Sequence, residues 1–278
     1  MWEEIFFMKP MVIDGPRMSD IGEREESSLL REVLYKCLEQ KREILGVHLW
    51  THSPFRIIEN PVLLPTLQTI HQLGIPLAIE VTITGLGGSA IEPGIESTEK
   101  AFSHLRSLLN SGLLSPDRIC LRIDPLQAWQ GPDGRITNTG YVDGLLDTAL
   151  SLGIQRFRVS LITLGRYQAK ILPRARHRHL FIAQLNPSEI CTKLRGWIAK
   201  GADIRSCATD LLDEGIPSGA CFDFSWVTGQ PLETPYKPVA KRKHCLCHVP
   251  ESVMLWKVPR RSDCSGGCLA CYAQGHKT

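Results

Sequence analysis

An α/β fold of parallel strands joined by helical crossovers is what this sequence predicts, and three observations carry it. Short β-branched or apolar runs alternate with helix-like stretches, the alternation repeats six or seven times, and glycines stand where helices should stop and the next strand begin. A partial or closed (β/α) barrel is the architecture expected from such a series. A flat doubly wound sheet is the other arrangement the same alternation allows.

The strands are expected at Pro10–Ile13, Leu45–Thr51, Leu77–Thr84, Arg118–Ile123, Arg156–Leu161, Asp203–Cys207 and Ser252–Val258. Between them, Arg24–Lys41 carries Leu29, Leu30, Val33, Leu34, Cys37 and Leu38 at helical spacing. Ser97–Asn110 opens on a serine cap with an early acid, and Tyr141–Leu152 follows the same apolar period. Pro187–Lys200 is entered by Asn186 as cap, with proline at the first helical position. Gly74, Gly153 and Gly201 mark the helix ends. Residues 1–244 are read as the α/β body, and 245–278 as a cysteine-rich strand and loop completing the same domain.

The chain has 278 residues, enough to bury a core without covalent staples. Its start is acidic before it is apolar, unlike a signal peptide, and no run approaches the ~18 apolar residues of a membrane span. A soluble cytoplasmic protein is expected, in the host cytoplasm if phage-encoded, with no membrane partner. Ten cysteines are too sparse for a disulfide scaffold and are expected to persist as thiols in a reducing compartment. The net charge of +3 says little about partners, but basic residues gather at 174–179, 237–244 and 257–261. These clusters could follow phosphates or could simply be solvated surface.

Cys264, Cys268 and Cys271 form a C-x3-C-x2-C triplet, with Gly266 and Gly267 letting the backbone turn so that the thiolates converge. Three thiolates on one loop can hold three irons of a [4Fe–4S] cluster and leave the fourth open, where S-adenosylmethionine would chelate. A cubane used only for electron transfer normally has four cysteine ligands. The alternative is a zinc knuckle completed by Cys245, Cys247, His244, His248 or His276, although structural zinc sites favour paired C-x2-C spacings.

The C-terminal ends of the strands are unusually polar, and in barrels the active site gathers there. They carry Thr51-His52-Ser53, Thr82 and Thr84, Arg122 and Asp124, Ser160 and Thr163, and Cys207 to Asp210. The last strand runs toward Cys264, which brings the triplet to the same edge. Arg122 and Asp124, two apart on one strand, share a face and read as an internal ion pair or as part of a site. Gly85 to Gly88 lacks the lysine or spacing of a nucleotide loop and reads as a flexible turn. His52 is read as a general base or a turn residue. Tyr167 and Lys170 fall on adjacent helical positions.

Taken in chain order, Arg17-Met-Ser-Asp-Ile21, Trp50-Thr-His-Ser-Pro54, Val81-Thr-Ile-Thr-Gly85, Arg122-Ile-Asp-Pro125, Tyr167 with Lys170, Cys207-Ala, Cys221-Phe-Asp223, Cys245-Leu-Cys247 and the triplet followed by Tyr272-Ala273 resemble a known group. The chain is similar to bacterial and phage proteins of unassigned function that resemble radical S-adenosylmethionine enzymes, distantly those of the spore photoproduct lyase type, with the cluster triplet at the C-terminus. It departs from the group at Pro16-Arg17 ahead of Met18-Ser19, at His52 in place of lysine, and at Ala270 before the last cysteine.

The resemblance implies a radical S-adenosylmethionine enzyme with a [4Fe–4S] cluster on Cys264, Cys268 and Cys271, in a barrel permuted so that the cluster loop follows the last strand. The helix at 24–41 would then lie beside the cluster. Arg122, Asp124, Thr82 and Thr84 become candidates to hold the cofactor, and Tyr167 and Lys170 to face the substrate as catalytic residues. Electrons would come from a flavodoxin- or ferredoxin-like donor. The implied reaction is a rearrangement or bond cleavage on a modified pyrimidine in DNA or a nucleotide. A small-metabolite or peptide substrate, and a non-catalytic zinc-stabilised nucleic-acid-binding protein, remain as alternatives. Cys207, Cys221, Cys245 and Cys247 suit a second cluster, a zinc ion or small buried positions, and Cys37, Cys120 and Cys191 read as core.

Overall fold

Seven short runs with apolar residues on alternate positions pair side by side as one sheet. A computed structural model describes residues 10–16, 19–165, 168–207, 209–231, 246–247, 252–254 and 264–271. Its principal strands are β1 (Met11–Asp14), β2 (Ile44–Thr51), β3 (Leu77–Thr82), β4 (Ile119–Leu126), β7 (Arg156–Leu161), β9 (Asp203–Ser206) and β10 (Ser252–Met254). They lie in the order β10-β1-β2-β3-β4-β7-β9, and every pairing is parallel. A smaller antiparallel sheet is made by β5 (Ala128–Gly131), β6 (Gly134–Thr137) and β8 (Phe181–Ile182).

Parallel strands need crossovers, and the helices supply them. These are α1 (Arg24–Glu39), α2 (Pro54–Glu59), α3 (Leu63–Gln72), α4 (Thr98–Asn110), α5 (Val142–Ser151), α6 (Gln168–His177) and α7 (Pro187–Ala199). The caps act as their residue types predict: Ser97 accepts from Lys100 N–H and Asn186 from Glu189 N–H. Gly74 ends its helix at φ +67, a conformation that a side chain would strain.

The two faces of the large sheet differ. Ile13, Val47, Leu49, Ile79, Val81, Leu121, Ile123, Phe157 and Val159 enter one apolar cluster with the inward stripes of α1, α3, α4, α5 and α7. The alternate residues point the other way, where Val12 and Ala78 meet Phe222, Phe224 and Val227. The last two belong to α8 (Phe224–Thr228), a short helix laid against β2 and β3. Arg118 fastens it by donating to the carbonyls of Trp226 and Val227. Five crossover helices therefore share one face, unlike a doubly wound sheet. The sheet is not closed: β10 and β9 stand at opposite ends of the strand order, with no ladder between them among the described residues. The closed form of the expected barrel is corrected accordingly.

One cysteine expectation also changes. Cys207 and Cys221 form a disulfide, because the end of β9 and the segment before α8 bring their Cα atoms to 6.5 Å. Cys37, Cys120 and Cys191 are buried thiols, as core positions require. No helix among the described residues is long and apolar enough to cross a membrane.

Candidate functional site

The triplet docks against loops that follow β2, β3 and β7, the C-terminal edge of the sheet. Leu269 drives the docking: it is fully buried among Leu86, Ile91, Trp129 and Ile171, and its N–H donates to Ile91 O at 2.8 Å. Gly94 N–H donates to Gly266 O at 3.1 Å. The N–H and the hydroxyl of Ser265 each donate to Glu23 Oε1 at 2.9 Å, so the start of α1 lies beside the loop. Two arginines of the basic run at 174–179 serve the loop itself. Arg174 donates to the carbonyls of Cys268 and Cys271, and Arg178 to Gly267 O at 2.9 Å.

Two glycines make close approaches in this contact, and at Gly94 the neighbour is backbone. A Cβ on Gly266 would stand 2.9 Å from Ile95 Cδ1, with the sulfurs of Cys268 and Cys264 at 3.4 and 3.5 Å from the same point. Both thiols thus converge over one bare backbone position. A Cβ on Gly94 would meet Ser265 O at 2.2 Å, backbone that cannot swing aside. Gly94→Ala is expected to cost about 1–3 kcal/mol of loop docking. It should lower iron retention after reconstitution while leaving the far-ultraviolet circular dichroism of the sheet and helices unchanged. Wild-type iron retention would refute the contact.

Three thiols on one loop are the donor set that an iron–sulfur cluster would use. The three thiols are half-buried and lie on one short loop whose carbonyls are already satisfied by arginine. Among the described residues no three His, Cys, Asp or Glu side chains gather as a single ion would need. A cubane asks something different, one thiolate for each of three separate irons. Burial pushes the Cys264 thiol up to about 11. A cation on the sulfur is what would hold it as thiolate.

His52 stands next to this loop. Its Nδ1 lies 3.5 Å from Cys268 Sγ and its Nε2 3.5 Å from Glu92 Oε2. Glu92 is buried and accepts from Thr84 Oγ1 at 2.6 Å, which makes a chain Thr84–Glu92–His52–Cys268. Burial alone would lower the imidazole, but Glu92 and Cys268 hold it well above its ordinary value. The backbone beneath is pinned by Asp20, which accepts from His52 N–H at 2.6 Å and from Thr51 Oγ1 at 3.0 Å. Burial leaves the Asp20 carboxyl raised despite these donors.

A second polar array runs across the strands on the face away from the crossover helices. Asp14 of β1, His48 of β2, Glu80 of β3, Arg122 and Asp124 of β4 and Ser160 of β7 follow one another around it. His48 Nδ1 lies 2.7 Å from Asp14 Oδ1, and Arg122 donates to Glu80 Oε2 at 3.2 Å. Arg122 also pairs with Asp124, which accepts from Ser160 Oγ, and its guanidinium lies 4.6 Å above the Trp50 ring. His48 is enclosed by the rings of Trp50, Phe222 and Trp226. His48 Nε2 and Glu80 Oε1 face each other at 3.8 Å, and neither makes a hydrogen bond within the structure.

The charges in this array hold one another. Burial opposes a charged His48, but Asp14 and Glu80 raise it above its ordinary 6.5. Burial likewise opposes a charged Glu80, but His48 and Arg122 bring it below 4.5. The His48 contribution to stability is therefore complete below pH 6.5 and fades as the pH rises through the raised folded value. The Glu80 contribution is present above pH 4.5 and fades as the pH falls through the lowered one. The melting-temperature gap between wild type and His48→Gln should accordingly narrow from mildly acidic to alkaline buffer. A gap that stays constant would mean that the His48 pKa is the same in the folded and the unfolded chain.

The residues predicted from sequence separate by location. Cys264, Cys268 and Cys271 share the docked loop, where Cys268 meets His52 and Thr84 reaches His52 through Glu92, while Arg122 and Asp124 belong to the array on the strands. Thr82 is half-buried and stands in register with Arg122. Lys170 lies on α6, one turn before Arg174, and accepts from it through its backbone carbonyl at 3.0 Å. Arg17, Tyr167, Cys245, Tyr272 and the basic runs at 237–244 and 257–261 lie outside the described residues. Sequence reading passed over Asp14, His48, Glu80 and Glu92, and read Arg174 only as part of a basic run. A charge inside an apolar strand run, as His48 and Glu80 are, was the signal available.

Compared with known protein families, the chain matches the one described as a domain of unknown function, DUF1848, over residues 26–273. No curated protein matches it significantly.

Proposed function

The chain belongs to the DUF1848 family, and from that premise and the geometry above we propose that it is a radical S-adenosylmethionine enzyme. The observation that carries the reading is the docking of three cysteines at the C-terminal edge of a parallel sheet, beside buried polar side chains of that same edge. Cys264, Cys268 and Cys271 would hold a [4Fe–4S] cluster, which with S-adenosylmethionine would supply reductive radical chemistry for hydrogen abstraction from substrate.

The protein's part is to bind, orient and exclude water. Arg174 and Arg178 hold the loop in one conformation, and Leu269 seals it from beneath. His52 sits between Glu92 and Cys268, which raise its pKa well above the ordinary value, so a cationic form beside the loop is favoured. Asp124 is half-buried and fixed by Arg122 and Ser160, which suits a carboxylate that accepts from ribose hydroxyls or an ammonium group. Thr82 and Thr84 extend the same line of β3 toward the loop. Tyr167 and Lys170 are assigned to the substrate side as catalytic residues, and a flavodoxin- or ferredoxin-like protein to electron delivery.

The reaction class we propose is a rearrangement or bond cleavage on a modified pyrimidine in DNA or a nucleotide. The family resemblance supports it more than the charge does, because Arg174 and Arg178 already serve loop carbonyls. The test is anaerobic reconstitution with iron and sulfide, reduction by dithionite, and assay for 5′-deoxyadenosine from S-adenosylmethionine. Production by the brown, reconstituted protein is expected. Colourless zinc-containing protein that makes none, beside a control enzyme that does, would overturn the reading in favour of a nucleic-acid-binding protein. For the substrate, retention on DNA that falls steeply with salt is expected. Indifference to salt would point to a small metabolite.

A further inference from the structure

Each thiol of the docked loop faces a basic side chain from a different part of the α/β body. His52, which follows β2, brings Nδ1 to 3.5 Å from Cys268 Sγ. Arg56 of α2 is in hydrogen-bonding contact with Cys264. Arg174 of α6 lies beside Cys271 and donates to its carbonyl and to that of Cys268. Arg174 thus holds the backbone of the loop, whereas His52 and Arg56 address sulfur. Resting on the cluster reading above, we propose that His52 and Arg56 are positioning residues that raise the reduction potential of the iron–sulfur cluster, by presenting N–H donors to the sulfurs of Cys268 and Cys264.

The direction of the His52 bond follows from chemistry. A free thiol could give its S–H to Nδ1, but a sulfur bound to iron has no proton to give, so the contact persists with Nδ1–H as donor. Both basic side chains are backed by a carboxylate. Glu92 Oε2 lies 3.5 Å from His52 Nε2 and accepts from Thr84 Oγ1 at 2.6 Å. Glu23 Oε1 accepts from Arg56 at 2.7 Å and from the N–H of Ser265 at 2.9 Å, which ties Arg56 to the residue after Cys264. Arg56 also donates to Gly94 O at 3.2 Å, and the N–H of that glycine donates to Gly266 O. Asp20 and Glu23 act on Cys264 with the opposite sign, and Arg56 offsets them.

Reduction adds one electron to the cluster and deepens the negative charge on its sulfurs. Donors to those sulfurs favour the reduced form over the oxidised one, which raises the potential. The electron comes from a flavodoxin- or ferredoxin-like donor, or from dithionite in the test tube, and the donor is oxidised in turn. No bond in the protein is made or broken. The chain thereby brings the cluster closer to the range of a one-electron donor.

The test is a potentiometric titration of the reconstituted full-length protein without S-adenosylmethionine, following the electron paramagnetic resonance of the reduced cluster at equal iron content. His52→Leu should lower the midpoint by about 59 mV, a tenfold smaller ratio of reduced to oxidised cluster at a fixed potential. His52→Gln keeps an N–H donor and should recover most of that shift, and Arg56→Met should move the midpoint in the same direction as His52→Leu. A side chain that only packs the loop would change how much iron is retained and leave the midpoint of the loaded protein where it was. His52→Ala replaces His52→Leu should the leucine displace the loop. A wild-type midpoint in either iron-loaded variant overturns the proposal for that residue. Wild-type protein that takes up no iron overturns the cluster reading and this inference with it, an outcome distinct from a cluster that forms at an unshifted potential.

Discussion

Cys268→Ala is expected to abolish 5′-deoxyadenosine formation and to strip most of the iron from the reconstituted protein. Cys268 is the thiol that His52 approaches at 3.5 Å, and its carbonyl accepts from Arg174. With it gone, two thiolates remain for a cluster that needs three. Wild-type product from Cys268→Ala would refute the cluster assignment. Because that variant loses the cluster, it says nothing of the cofactor-holding residues, and Asp124→Asn addresses them. It keeps the shape and the Ser160 contact while removing a charge that can accept from the cofactor. A charged hydrogen bond contributes about 1.5–3 kcal/mol, so S-adenosylmethionine should bind roughly 10–100-fold more weakly to protein with its full iron content. Unchanged binding would exclude Asp124 from that role.

Glu80→Ala is the substitution expected to destabilise the fold most. Glu80 is fully buried between His48 and Arg122, and its removal leaves two buried cationic partners with less compensation. Breaking a buried pair from one side costs about 3–5 kcal/mol. Asp14 and Asp124 still serve the two cations, so the lower end of that range is expected. Urea unfolding at unchanged slope would read it directly. The further change Arg122→Met in the same chain should cost less than it does alone, because the orphaned charge is removed with its partner. A loss under about 1 kcal/mol for Glu80→Ala would mean that water reaches the array and screens it.

Much of the fold was legible because its signals are local. Apolar residues at Leu29, Leu30, Leu34 and Cys37 recur at helical spacing and are the buried stripe of α1. The strand runs were found within a few residues of their observed limits, since burial on both faces demands continuous apolar or compensated sequence. Weaker local signals were missed. The hairpin of β5 and β6 is only four residues to a strand, and α6 contains Pro173, which argues against a helix when read alone. The triplet was legible from spacing, and Arg122 with Asp124 from the two-residue period of a strand.

By itself, the sequence determined the alternation of strands and helices, the clustering of three thiols on one glycine-bearing loop, and the common face of Arg122 and Asp124. Each depends on residues a few positions apart. Only the tertiary structure decided that the sheet stays open, that Cys207 meets Cys221 and Cys247, and that Asp14, His48 and Glu80 form one array. It also decided that Arg174 serves the cysteine loop and not solvent. The physical reason is that burial turns an isolated polar residue into a commitment to partners, and parallel crossovers bring those partners from segments dozens of residues away.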